Sequence, residues 1–236
     1  MIKLIHRYLV YPLRDFIYPP ICFTCNELLT EDQERICTGC WNSFTSLDFS
    51  SPTWKEIQEK FHAEGVVEDF LSCFLFEKEG KLQEVIHHLK YGGMKSLGVR
   101  LGEELGRRLQ SDERFASADF LVPVPLHKLK RRERGYNQSE YICRGISHVS
   151  GIPVAGDFLS RTKHTQSQTQ LSLLERKGNV SEAFSILPEA ALHVRGKTCV
   201  LVDDVITTGS TINACARELL SAHARRVYGA SVALAR

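Results

Sequence analysis

The chain has 236 residues, a formal net charge of +2, and is 43% apolar and 25% charged. That is enough for one large domain, or one domain with a small satellite, and for a real hydrophobic core. The near-neutral balance gives no case for wholesale nucleic-acid or membrane binding, so any basic surface has to be local.

In the opening segment MIKLIHRYLVYPLRDFIYPP, the residues His6, Arg7, Arg14 and Asp15 interrupt the apolar positions. No apolar run approaches the roughly 18 residues that a membrane-spanning helix needs, and no small-residue cleavage site follows. No integral membrane segment and a cytoplasmic location are therefore expected. Leu4, Ile5, Tyr8, Leu9 and Tyr11 approximate one helical stripe, which predicts a short amphipathic helix packed on the body, with a membrane-surface role as the alternative.

Cys22 and Cys25 form one CxxC pair and Cys37 and Cys40 another, with eleven residues between them. Two such knuckles bring four thiolates to one ion, which is the closed tetrahedral arrangement of structural zinc. A redox dithiol is the competing reading, but such a pair usually stands alone and opens a helix. A segment of about 25 residues cannot bury enough core by itself, so the metal would hold it together. The remaining cysteines, Cys73, Cys143, Cys199 and Cys215, lie among apolar neighbours and read as small buried hydrophobes. After Trp41 the chain passes through SFTSLDFSSPTW at 43–54, rich in Ser, Thr and Pro, and residues 46–65 read as a linker. This gives a zinc module with its N-terminal helix over 1–45, the linker, and a main domain over 66–236.

In the main domain, alternation over Val66 to Phe76 predicts a strand, and Leu82, Val85, Ile86 and Leu89 one helix face. Tyr91-Gly92-Gly93 stops that helix, and Leu97, Leu101, Leu105 and Leu109 mark the next. Phe120 to Val124 reads as a strand, Tyr136 to Val149 as a helix, Thr198 to Val202 as a strand, Thr211 to Ala222 as a helix and Val227 to Leu234 as a last strand. Strands alternating with helices argue for an α/β fold with a mostly parallel sheet.

The segment Val200-Leu201-Val202-Asp203-Asp204-Val205-Ile206-Thr207-Thr208-Gly209-Ser210-Thr211 carries most of the chemistry. A buried strand ends in two acids, then a hydroxyl-rich turn, then a helix. Ligands of open α/β sheets bind at the carboxyl ends of strands. The turn Thr207–Thr211 can aim backbone N–H groups at a phosphate, with Gly209 allowing close approach. Two carboxylates would repel that phosphate, but they suit the vicinal hydroxyls of a ribose, and Mg²⁺ suits the hydroxyls and a pyrophosphate. The pattern describes a 5-phosphorylated ribose carrying a diphosphate. A Walker B acid pair would require a P-loop, and the sole GK[ST], Gly196-Lys197-Thr198, has Ala191 where the first glycine belongs and precedes a strand. Plain helix capping needs one hydroxyl and one acid, not two acids and four hydroxyls.

VLVDDVITTGST resembles the phosphoribosyl pyrophosphate signature of type I phosphoribosyltransferases. Together with CFTC…CTGCW, LKYGG at 89–93, LVPVPLHKLKRRERGYNQSE at 121–140 and SQTQLSLLERKGNV at 167–180, it makes the chain similar to the ComF/GntX family of competence-associated proteins. The resemblance implies a type I phosphoribosyltransferase-like domain with its helices flanking the sheet. Asp203 and Asp204 would hold the ribose hydroxyls, and Thr207, Thr208, Gly209, Ser210 and Thr211 the 5-phosphate. The loop after the strand 121–124 would be the pyrophosphate loop, with charge from Lys128, Lys130, Arg131, Arg132 and Arg134, chiefly Lys128, Arg131 and Arg134. The stretch from Arg161 to Asn179 would close over the site and exclude water. Hypoxanthine-guanine enzymes carry a base-directed aspartate where this chain has Thr207, which speaks against a 6-oxopurine acceptor.

Three functions compete. The first is displacement of pyrophosphate from phosphoribosyl pyrophosphate with Mg²⁺, linked to DNA uptake. The second is a competence factor that keeps the fold and binds single-stranded DNA, its run Lys128–Arg134 contacting phosphates while the adjacent Tyr136 and Asn137 stack a base, in company with DNA-uptake proteins. The third is a sensor of the ribosyl ligand that regulates partner contacts through the zinc module, in which chelation would spare ligand binding. The nine histidines show no ligand spacing, and His127 alone falls near the site, where it could contact diphosphate.

Overall fold

The structure is a computed structural model that describes residues 20–31, 33–50, 54–55, 58–59, 66–161 and 183–235. The amphipathic stripe at the N-terminus and most of the closing stretch, residues 162–179, lie outside the described residues.

The elements in chain order are α1 (Thr38–Asn42), β1 (Phe70–Phe76), α2 (Lys81–Tyr91), α3 (Lys95–Gln110), α4 (Glu113–Ala116), β2 (Phe120–Pro123), α5 (Lys128–Arg134), α6 (Gln138–Ser150), β3 (Leu159–Arg161), β4 (Phe184–Ile186), α7 (Pro188–Val194), β5 (Thr198–Ile206), α8 (Ser210–Ser221) and β6 (Arg226–Ala235). Four strands form one sheet in the order β1-β6-β5-β2, every pair parallel. The short antiparallel pair β3-β4 stands apart.

Parallel strands with apolar residues on both faces must be covered on both sides. Because side chains alternate, Val200 and Val202 of β5 join one core with Leu89 of α2, Leu101 of α3 and Ile142 of α6. Cys199 and Leu201 join the other, with Val194 of α7 and Leu219 of α8. Neither sheet edge is bare. Ser46 bridges Phe74 at the β1 edge, and Val154 bridges Leu121 at the β2 edge.

The leucines of α3 face the sheet, and its glycines face α6. Gly98, Gly102 and Gly106 recur every fourth residue, so they share one side of the helix. A Cβ on Gly102 would lie 2.1 Å from the Ile142 carbonyl oxygen, and one on Gly145 would lie 2.0 Å from that of Val99. The two backbones therefore touch directly.

Several elements differ from the sequence expectation. β1 starts at Phe70, not Val66, because Asp69 takes the Phe70 amide on its own carboxylate (2.8 Å) and is also bound by Arg114. β5 does not end before the acids. It runs through them to Ile206, because β6 stays alongside and pairs with Asp203, Val205 and Ile206. The basic run is a helix and not a loop. The His127 ring nitrogen accepts the Leu129 amide at its start, and Gly135 at φ 76° closes it. α4, α7 and the β3-β4 pair are too short to show a period in the sequence.

Candidate functional site

The acid pair sits near the carboxyl end of β5 and is held by residues from α2 and α6. Asp204 is buried, and its carboxylate receives the Lys90 ammonium at 2.9 Å, the Gln138 amide at 3.3 Å and the Val205 N–H at 2.8 Å. Asp203 accepts the Ser139 hydroxyl at 3.2 Å and the Asp204 N–H at 2.8 Å. Burial pushes the Asp203 carboxyl up to about 7, and the charge of Asp204 adds to that. The Asp204 N–H, Lys90 and Ser139 oppose it.

After Ile206 the chain turns. Thr207 and Thr208 are exposed, and Gly209 adopts φ 74°, a conformation that a side chain would strain. Ser210 then opens α8, and its hydroxyl lies 2.9 Å from that of Thr208. Asp203, Thr207, Thr208, Gly209, Ser210 and Thr211 line one concavity. One side of it is acidic, and the other offers hydroxyls and the first N–H groups of a 12-residue helix, which favour an anion.

Cations gather on the same side. Burial lowers the Lys130 pKa, as do the charges of Arg134, Arg161 and Lys90, so these four groups share one field. The Arg134 guanidinium lies over the Tyr91 ring at 5.1 Å, and that of Arg161 over Phe184 at 5.0 Å. Lys130 and Arg134 are four residues apart and so share a face of α5. The rest of the basic run is directed elsewhere. Arg131 pairs with Glu140 at 3.1 Å, while Lys128 and Arg132 are exposed. Tyr136 and Asn137 offer no stacking surface. Both are buried, Tyr136 donating to the Leu89 carbonyl and Asn137 to that of Val124. His127 caps α5.

Lys90, Gln138 and Ser139 have no role in the sequence reading, and Arg161 enters it only as the start of the stretch that would close over the site. Lys90 lies in LKYGG and the α6 pair in YNQSE, so the quoted motifs contained three of the four. Only the fold brings them to Asp203 and Asp204.

The second candidate site is the cysteine cluster. The four sulfurs of Cys22, Cys25, Cys37 and Cys40 all lie within 4.8 Å of one another. Four sulfurs about 2.3 Å from one ion would sit roughly 3.8 Å apart, so the donor set fits a tetrahedral dication. Lys81 reaches to 3.7 Å from the Cys40 sulfur. The module docks through Arg100 of α3, which lies over the Trp41 ring at 4.4 Å and donates to the Glu34 and Ile36 carbonyls.

Residues 93–235 match the phosphoribosyl transferase domain family, and residues 13–53 match the double zinc ribbon domain. With the clustered thiols, the latter match makes the metal a structural zinc. Competence protein F of Haemophilus influenzae is 26% identical over 212 residues, covering 81% of this chain and 87% of that protein. DNA utilization protein YhgH of Escherichia coli is 33% identical over 142 residues, covering 59% of this chain and 61% of that protein. A solved structure of the allosteric regulatory enzyme of purine biosynthesis is 24% identical, with a TM-score of 0.38 over 57% of this chain and 26% of that one, a likeness too slight to build on. Among the described residues, no helix is long and apolar enough to cross a membrane.

Proposed function

The chain belongs to the ComF family of phosphoribosyl transferase domain proteins, and from that premise we propose that it binds phosphoribosyl pyrophosphate together with Mg²⁺. The observation that carries this reading is the concavity that Asp203 shares with the hydroxyl-rich start of α8, with Asp204 buried next to it in β5. Asp203 and Asp204 accept the ribose hydroxyls. Thr207 to Thr211 cradle the 5-phosphate. Lys130, Arg134 and Arg161 face the diphosphate and stabilise its charge as it departs. Mg²⁺, when bound, supplies further positive charge to the diphosphate. The names of the relatives, competence and DNA utilization, support a link between this chemistry and DNA uptake.

A pH dependence follows from Asp203. A carboxyl raised to about 7 in the free site has to ionise to accept two hydroxyl donors, so binding releases a proton. Affinity should therefore rise about tenfold from pH 6 to pH 8. In the free protein the same shift has the opposite consequence. The folded state binds more protons than the unfolded chain between about pH 4 and pH 7, so stability falls as pH rises through that window. Calorimetric titration at both pH values, in two buffers of different ionisation enthalpy, measures affinity and proton release together. The Asp203→Asn protein should lose the Asp203 share of the slope and of the proton release, keeping only what the ligand's own phosphate contributes. Equal slopes and proton release in parent and variant would contradict this role for Asp203.

A second reading, single-stranded DNA binding, is favoured by the exposed Lys128, Arg131 and Arg132 on the outer side of α5. On that reading, replacing all three by Gln lowers the slope of log affinity against log salt by about 2, since each phosphate contact on a single strand contributes about 0.7. An unchanged slope would remove α5 as a DNA contact.

A further inference from the structure

One helix joins the two sites. α2 begins at Lys81, whose ammonium reaches the Cys40 sulfur at 3.7 Å, and its penultimate residue is Lys90, whose ammonium binds the Asp204 carboxylate at 2.9 Å. At about 1.5 Å per residue the two lysines are some 13 Å apart along a rigid rod. Between them, the His88 ring packs on Phe23 of the CxxC knuckle at 4.7 Å. Leu82, Val85, Ile86 and Leu89 share one core with Cys22, Ile36, Cys37 and Cys40 of the module and with Val200 and Val202 of β5. The far end is fixed as well. The Tyr136 hydroxyl binds the Leu89 carbonyl, and Gly92 stops the helix where a Cβ would lie 2.8 Å from the His88 carbonyl oxygen.

We propose that α2 transmits the state of the four-cysteine metal site to the acid pair, with Lys90 as the positioning residue. A dication on four thiolates leaves two net negative charges, which Lys81 partly offsets at the start of α2. Without the ion, the short module cannot hold its own fold, and α2 loses the surface that packs on His88 and Leu82. Lys90 then no longer holds Asp204, whose buried carboxylate has Gln138 and one backbone N–H as its other partners. Lys90 thus acts through Asp204, and the ribosyl site is ordered only while the metal site is filled. The consequence for ligand affinity rests on the reading above. The mechanical link does not.

The test is amide exchange on the full chain, zinc-loaded and after chelation, followed in peptides covering 88–93 and 203–211. Exchange in both should quicken at least tenfold on chelation, while β2 and β6 stay protected. Quickening confined to residues 20–44 and the first turn of α2 would overturn the proposal. If chelation exposes the whole chain, the zinc-loaded Lys90→Met protein decides. Faster exchange at 203–211 with unchanged protection of the cysteine module supports the link, with Lys90→Arg restoring it, and unchanged exchange at 203–211 refutes it. Titration with phosphoribosyl pyrophosphate and Mg²⁺ separates the two ideas. A parent that shows the exchange response yet never binds this ligand retains the link and loses the ligand assignment. A parent that binds equally well with and without zinc retains the ligand and loses the link.

Discussion

Gly145→Ala is expected to cost about 3 kcal/mol of stability or more, although alanine is the better helix former. In an exposed helix the same change would gain roughly 1 kcal/mol. Here the added methyl would lie 2.0 Å from the Val99 carbonyl oxygen and 2.8 Å from the Glu103 amide, both of them backbone atoms of α3. A side chain could rotate away, whereas a helix backbone can only move as a unit, so the cost falls at or above the upper end of the usual ~1–3 kcal/mol for overpacking. Gly102→Ala meets the Ile142 carbonyl oxygen at 2.1 Å and should behave alike, while Gly106→Ala, with its nearest contacts at 3.1 to 3.2 Å, should lose less. Urea unfolding of the three variants gives the ranking, and a Gly145→Ala protein as stable as the parent would contradict direct backbone contact between α3 and α6. The effect should reach the site, since α6 carries Gln138 and Ser139 to the acid pair.

How much of this was legible in advance depends on how local each feature is. The cysteine knuckles were legible because the ligand pairs are three residues apart and spacing alone brings their thiols together. The leucines of α2 and α3 were legible because burial imposes the helical period on them. The glycine repeat of α3 is written in the sequence too, but its meaning depends on Gly145, which only the packing of α6 supplies. Lys90 was hidden for the same reason. It reads as an ordinary last-turn lysine until the fold lays α2 beside β5. The basic run misled in another way. Read as a loop, it pointed chiefly to Lys128, Arg131 and Arg134, whereas the helix puts Lys130 on one face with Arg134 and leaves Arg131 paired with Glu140. The extent of β5 was misjudged because the acids look like a strand terminus, yet β6 continues beside them to Ala235.

The other large effect is expected at the acid pair. Asp203→Asn with Asp204→Asn keeps the shape of both side chains and removes the charge that two ribose hydroxyls would meet. Hydrogen bonds to charged groups contribute about 1.5–3 kcal/mol each, so losing two should weaken binding by roughly a hundredfold or more. The fold should survive. Asp203 already sits uneasily as a charged group, with its carboxyl raised to about 7 by burial, so its neutral replacement removes a strained charge. Asp204→Asn is the costlier half, because it leaves the Lys90 ammonium, a quarter exposed, without its carboxylate. The thermal melt of the double variant therefore has to be recorded beside its binding.

The most direct measurement is calorimetric titration of the zinc-loaded protein with phosphoribosyl pyrophosphate and Mg²⁺ at pH 8, run in parallel on the double variant. Saturable one-to-one binding by the parent, lost in a variant that still melts cooperatively, is the predicted result. No binding by the parent, or equal binding by both proteins, would contradict the assignment of Asp203 and Asp204 to the ribose.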